Sequence, residues 1–82
     1  MDAPQLTEAQ ASIAQAIATF RQTHEFGPTV RQVAAATDRA LSTTQELLRT
    51  LRHKGAVVWD DGVARSLRLT EAGQEALHAA SK

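Results

Sequence analysis

Leu6, Ile13, Ile17 and Phe20 recur at helical spacing, with Gln10, Ala14, Gln15 and Arg21 falling between them. The pattern predicts a first helix over about residues 8–24. Thr7 and Gln10 form a capping box at its start, where the threonine oxygen takes a free amide and the glutamine side chain covers the amide of the cap. Leu6 is placed to act as the staple before the cap, and Gly27-Pro28 ends the helix. Thr29 and Gln32 repeat the box, and Val30, Val33 and Ala34 predict a short second helix over about 30–36. Its narrow, alanine-rich stripe suits close approach to a neighbouring helix. Thr37, Asp38 and Arg39 read as a turn. Leu41, Thr44, Leu48 and Leu51 mark one face of a third helix over about 41–54. Arg52, His53 and Lys54 complement the negative end of its dipole, and Gly55 can take the left-handed conformation that terminates it.

The period then changes to two. Val57 and Trp59 alternate with Val58 and Asp60, and Leu67 and Leu69 alternate with Ser66 and Arg68. With Asp61-Gly62 as the turn, this predicts a β-hairpin whose Val57, Trp59, Leu67 and Leu69 face the core, Trp59 mostly buried against the first or third helix. Thr70 caps a last short helix with Ala72, Ala76, Leu77 and Ala80 as its apolar positions, packed either on the first helix or against another copy. A two-stranded ribbon does not stand alone, so its apolar face must pack on the helices. The predicted fold is therefore mainly α with a small β-hairpin: a winged helix-turn-helix of three helices, a two-stranded wing and a short C-terminal helix. It forms one domain over 1–82, with its core at about 6–69 and the extra helix at about 70–80.

Composition narrows the functions. Eighty-two residues make one small domain, and the chain has no cysteine, which removes disulfides, thiolate nucleophiles and cysteine-based zinc sites. Met1, Asp2, Ala3 and Pro4 show no secretory signal, and no apolar run approaches the ~20 residues of a membrane span, so a cytoplasmic protein with no membrane partner is expected. Formal net charge is zero, but its distribution is uneven. Residues 29–55 carry Arg31, Arg39, Arg49, Arg52 and Lys54 against Asp38 and Glu46, net +3, whereas residues 1–28 are net −2 and residues 56–82 net −1. The positive charge lies on the second and third helices, where it is either an electrostatic footprint for nucleic acid or an ordinary solvated surface.

Residues 6–69 resemble the N-terminal DNA-binding domain of LexA-type repressors. The resemblance is carried by Leu6-Thr7 opening the first helix, Gly27-Pro28-Thr29 before the second, Val30-Arg31-Gln32-Val33-Ala34 within it, Leu48-Arg49-Thr50-Leu51, Lys54-Gly55, and the hairpin ending Leu67-Arg68-Leu69. The segment from Leu69 to Leu77 resembles instead the strand-to-helix passage after the wing in MarR-like regulators. Thr37 and Asp38 stand where the family has a glycine and an aliphatic residue, with Leu41 the candidate to fill the lost apolar position, and Thr44 stands where a valine or alanine is usual. LexA continues into a self-cleaving serine-lysine protease and dimerisation domain. These residues do not include it, and that activity is not carried over.

Base reading needs hydrogen-bonding side chains on the exposed face of the third helix. With Leu41, Thr44, Leu48 and Leu51 turned inward, that face presents Ser42, Thr43, Gln45, Glu46 and Arg49. The resemblance implies that Ala40, Ser42, Thr43, Gln45 and Glu46 approach bases. Gln45 suits adenine, Glu46 a cytosine amino group, and Arg49 guanine or a phosphate. Thr29 and Arg31 at the start of the second helix suit a phosphate, with Arg39 nearby. Arg65 matches a wing arginine that reaches the backbone or minor groove in relatives, and Arg68 follows it on the wing. Asp60 and Asp61 would repel phosphate, so the wing tip is expected to point away from DNA. His24, His53 and His78 have no ligand spacing, and Glu71 and Glu75 lack a partner base or nucleophile, so no metal, cofactor, small-molecule ligand or enzyme activity is expected. Two functions fit. One is a sequence-specific regulator of double-stranded DNA, a repressor by the resemblance, acting alone, with a partner protein or as a weak homodimer formed on DNA. The other is a winged-helix interaction module, a small phage- or plasmid-type factor, that binds another regulator or enzyme rather than DNA. Zero net charge, the acidic wing tip and Leu47 beside the polar face favour the second.

Overall fold

A computed structural model of the chain describes residues 5–80; the expectations placed on Met1–Pro4 lie outside the described residues. The elements run α1 (Glu8–Thr23), α2 (Val30–Thr37), α3 (Leu41–His53), β1 (Val57–Val58), β2 (Arg68–Leu69) and α4 (Glu71–Ala80). Both capping boxes form as read, with Thr7 accepting from the Gln10 amide and Thr29 from the Gln32 amide, each at 3.1 Å. Ile13 and Ile17 of α1, Val33 of α2, Leu48 and Leu51 of α3, and Ala56, Val57 and Leu67 from the wing arms make one buried cluster. Gly55 closes α3 with φ +81°.

The buried face of α1 is offset from the expected stripe. Gln10, Ile13, Ala14 and Ile17 are buried, while Phe20 is half-buried and stacks on His24. Gln10 tolerates burial because its side-chain oxygen accepts from the Thr7 amide at 3.0 Å and from Lys54 Nζ at 2.7 Å. Lys54 also donates to the Gln5 carbonyl, so the cation after α3 straps the start of α1.

The turn between α2 and α3 forms without glycine. Asp38 caps α2 in the left-handed conformation, φ 54° and ψ 45°, with its N–H directed at the Ala34 and Ala35 carbonyls. Aspartate is among the few side chains that enter this region readily. Leu41 is half-buried at the rim. Thr44 is fully buried, its hydroxyl donating to the Ala40 carbonyl at 3.0 Å, so the polar atom is satisfied where the family has an apolar one. Leu47 packs against the core from the side of α3.

The wing is shorter than the alternation predicts. Only Val57↔Leu69 and Val58↔Arg68 pair, antiparallel. Beyond them the ladder gives way to a loop organised by Ser66. Its hydroxyl accepts from the Asp60 amide at 2.8 Å and donates to the Val63 carbonyl at 2.9 Å. Ser66, expected to face outward, is therefore buried, and Trp59, expected to be mostly buried, is half-buried at the edge of the core. It does face α3, where the Arg52 guanidinium lies 4.2 Å from its ring centroid.

α4 packs on α1 and β2. Thr70 caps it, accepting from the Gly73 amide at 3.0 Å, while its own amide donates to the Ala56 carbonyl at 3.0 Å. The buried positions are Gly73 and Ala76; Ala72 and Leu77 are half-buried and Ala80 is exposed. Gly73 is required by proximity, since a Cβ there would overlap the Ala56 carbonyl oxygen.

Candidate nucleic-acid interface

At 3.6 residues per turn, burying Thr44, Leu48 and Leu51 turns the opposite arc of α3 outward. Ser42, Thr43, Gln45, Glu46 and Arg49 are all exposed on it. Ser42, Glu46, Arg49 and His53 share one stripe, and Gln45, Arg49 and Arg52 lie on the side toward the wing. Ala40 caps α3 with no side-chain hydrogen bond.

Thr29 spends its hydroxyl on the Gln32 amide, and its own amide donates to the Gln32 side chain at 2.9 Å. The box leaves the amides of Val30 and Arg31 at the positive end of α2, with the exposed Arg31 side chain beside them. From the wing, Arg65 enters with a left-handed backbone, φ 60°, and its carbonyl accepts from the Gly27 amide at 2.9 Å.

These three sources meet in one cleft of about 420 Å³. Thr29, Gln45, Arg49 and Arg65 supply its polar wall, and Leu48, Trp59, Val63 and Leu67 are among its apolar lining. Trp59 and Val63 were not singled out from the sequence as site residues. Val63 is 57% exposed, and an isolated valine after a turn glycine carries no signal of its own. Ser42, Thr43 and Glu46 of α3 and Arg31 of α2 lie outside this cleft.

Two of the expected backbone contacts are engaged within the fold. Arg39 donates to the Ser12 hydroxyl and the Thr37 carbonyl, both at 3.3 Å, tying the turn to α1. Arg68 donates to the Ser66 carbonyl at 2.9 Å and pairs with Asp60 at 3.5 Å. The acidic wing tip does not simply turn away. Asp61 pairs with Arg52 at 3.6 Å and sits beside Arg49, His53 and Trp59. Both wing carboxylates are thus partly neutralised, whereas among the described residues no carboxylate pairs with Arg31, Arg49 or Arg65. The zero net charge hides a basic face.

A helix-turn-helix whose polar third helix stands beside a two-stranded wing is a winged helix-turn-helix domain. The family model described as the LexA DNA binding domain matches residues 3–66. The protein named "Transcription regulator LexA" from Synechocystis sp. (strain ATCC 27184 / PCC 6803 / Kazusa) is 35% identical over 65 residues, covering 78% of this chain and 32% of that protein. The chain belongs to the LexA DNA-binding domain family. It spans about a third of the length of that relative, and β2 and α4 lie beyond the residues the family model matches. Among the described residues no helix is long and apolar enough to cross a membrane.

Proposed function

We propose that residues 1–82 act as one DNA-binding domain of a transcription regulator, a repressor, that inserts α3 into the major groove of duplex DNA. The observation that carries this reading is the cleft in which Gln45 and Arg49 of α3, Thr29 at the start of α2 and Arg65 of the wing converge. A recognition helix flanked by backbone-binding groups on both sides is what register on a duplex requires. Ser42, Thr43, Gln45, Glu46 and Arg49 are assigned to base edges; Thr29, Arg31 and Arg65 to the backbone. Arg39 and Arg68 support the interface by holding the turn and the wing. Double-stranded DNA is the partner, with pairing of copies left to the operator.

The features that favoured a protein-docking module lose force. Leu47 packs on the core, and the wing carboxylates are paired. Salt titration of binding to a mixed-sequence duplex tests the reading. Affinity should fall steeply as salt rises, with a slope of about −0.9 per phosphate neutralised. Binding that ignores salt would remove the basis for a DNA partner. Selection from random duplexes should then return one enriched sequence, and that sequence placed in a promoter should lower transcription when the protein is present.

A further inference from the structure

Arg65 is held unusually for a surface arginine. Its left-handed backbone is uncommon for a non-glycine residue and persists only where neighbours hold it. The Gly27 amide grips its carbonyl, and Gly27 lies so close that a Cβ there would overlap the Leu67 carbonyl oxygen. The side chain is held too. The Arg65 guanidinium carbon sits 4.6 Å from the centroid of the Phe26 ring. Phe26 is 41% exposed and stands outside the buried cluster, so core packing does not explain an aromatic residue there. Its ring rests on Phe20 at 5.9 Å and on His24 at 5.4 Å, and these two stack on each other at 4.0 Å.

We propose that Phe26 is a positioning residue for DNA binding: its ring is a platform that aims the Arg65 guanidinium at the duplex backbone. The inference rests on the assignment of Arg65 to that backbone made above. A ring beneath the guanidinium carbon limits its rotamers, and among the described residues no hydrogen bond or ion pair takes its N–H groups, which remain for phosphate oxygens. An ion pair would have occupied those groups, as Asp60 does for Arg68. The three rings at the end of α1 therefore couple the first helix to the wing contact. A long side chain is ordered before binding, so less freedom is lost when DNA arrives.

The test uses the 82-residue chain, a mixed-sequence duplex and the variants Phe26→Leu, Phe26→Trp and Arg65→Ala, each checked for native circular dichroism. Phe26→Leu keeps apolar bulk but removes the ring; it should weaken binding about two- to fivefold, the range expected of an exposed cation–π contact. Phe26→Trp should restore affinity. In the Arg65→Ala background, Phe26→Leu should have no further effect. In the protein without DNA, the ring-current shift of the Arg65 side-chain protons should vanish in Phe26→Leu and persist in Phe26→Trp. An equal loss from Phe26→Leu with or without Arg65 would show that Phe26 acts by another route and overturn the proposal. So would full affinity in Phe26→Leu while Arg65→Ala weakens binding. If Arg65→Ala itself leaves affinity unchanged, the backbone assignment of Arg65 fails and the proposal falls with it; the ring-current shift then reports separately whether the stack exists.

Discussion

Exposure and partners at single positions separate the residues proposed to read DNA from those proposed to hold the reader. Gln45 and Arg49 are exposed on the arc of α3 that faces the wing cleft. Replacing either with alanine should weaken binding to a selected operator by ~1–3 kcal/mol per lost base contact, with the melting curve unchanged. Arg31→Ala and Arg65→Ala should instead weaken binding to every duplex alike and flatten the salt slope by about 1 each. Fluorescence anisotropy on selected and mixed-sequence duplexes distinguishes the two patterns, and unchanged affinity in all four variants would falsify the groove-reading model. Stability divides along other residues. Leu51 is fully buried, so Leu51→Ala should cost ~2–5 kcal/mol, enough to unfold much of so small a domain. Trp59 is half-buried, with one face against Arg52. Trp59→Ala should cost clearly less than Leu51→Ala in urea unfolding, and the reverse order would contradict its place at the core edge.

One helix start of the first three differs from the others in a way that can be used. α1 and α2 each open on a full capping box, whereas α3 opens on Ala40, which offers no side-chain oxygen. Ala40→Ser should stabilise the domain by ~0.5–2 kcal/mol, and about 1 kcal/mol raises the melting temperature by roughly 4–8 °C in a domain of this size. No rise in calorimetry would mean that the start of α3 is satisfied by other means. α4 makes the opposite case. Its docking depends on the absence of a side chain at Gly73, because a Cβ there would overlap the Ala56 carbonyl oxygen. In Gly73→Ala, α4 should separate from Ala56 and its amides should exchange with solvent much faster than in the parent. Retained protection would show that backbone shifts absorb the methyl.

As a whole the described protein measures 31 × 24 × 23 Å. Half-sites one helical turn apart are separated by ~34–36 Å, so two copies fit on one face of a duplex with little surface between them. α4, the helix that could have met another copy, packs instead on α1 and β2. A single recognition helix makes few phosphate contacts, and a lone copy should bind weakly at physiological salt. These 82 residues should therefore sediment as a monomer at micromolar concentration and as two copies on a duplex with two half-sites. A tight dimer without DNA, or nanomolar one-to-one binding to a palindromic site, would defeat this expectation.

Periodicity and capping by themselves determined the helices and the place of the hairpin, though not the length of its strands. The 3.6-residue stripes, the Thr7–Gln10 and Thr29–Gln32 boxes and the change to alternation after Gly55 located every helix end to within a residue or so, and with them the winged arrangement. The outward arc of α3 followed as well, because burying one helix face exposes the other. These are local signals, each written within a few neighbouring residues. What tertiary structure decided was everything set by residues far apart in the chain. Gln10 can be buried because Lys54, far along the chain, reaches its side-chain oxygen. Gly27 and Gly73 are needed for the close approach of Leu67 and Ala56. The same holds for the arginines. In sequence Arg39, Arg65 and Arg68 are equivalent cations, but Ser12 and Thr37 take the first and Asp60 the third, while Phe26 supports the second with its hydrogen-bonding fork left open. The charge of an arginine is written in the chain; which of its hydrogen bonds remain for a ligand depends on what the fold brings beside it.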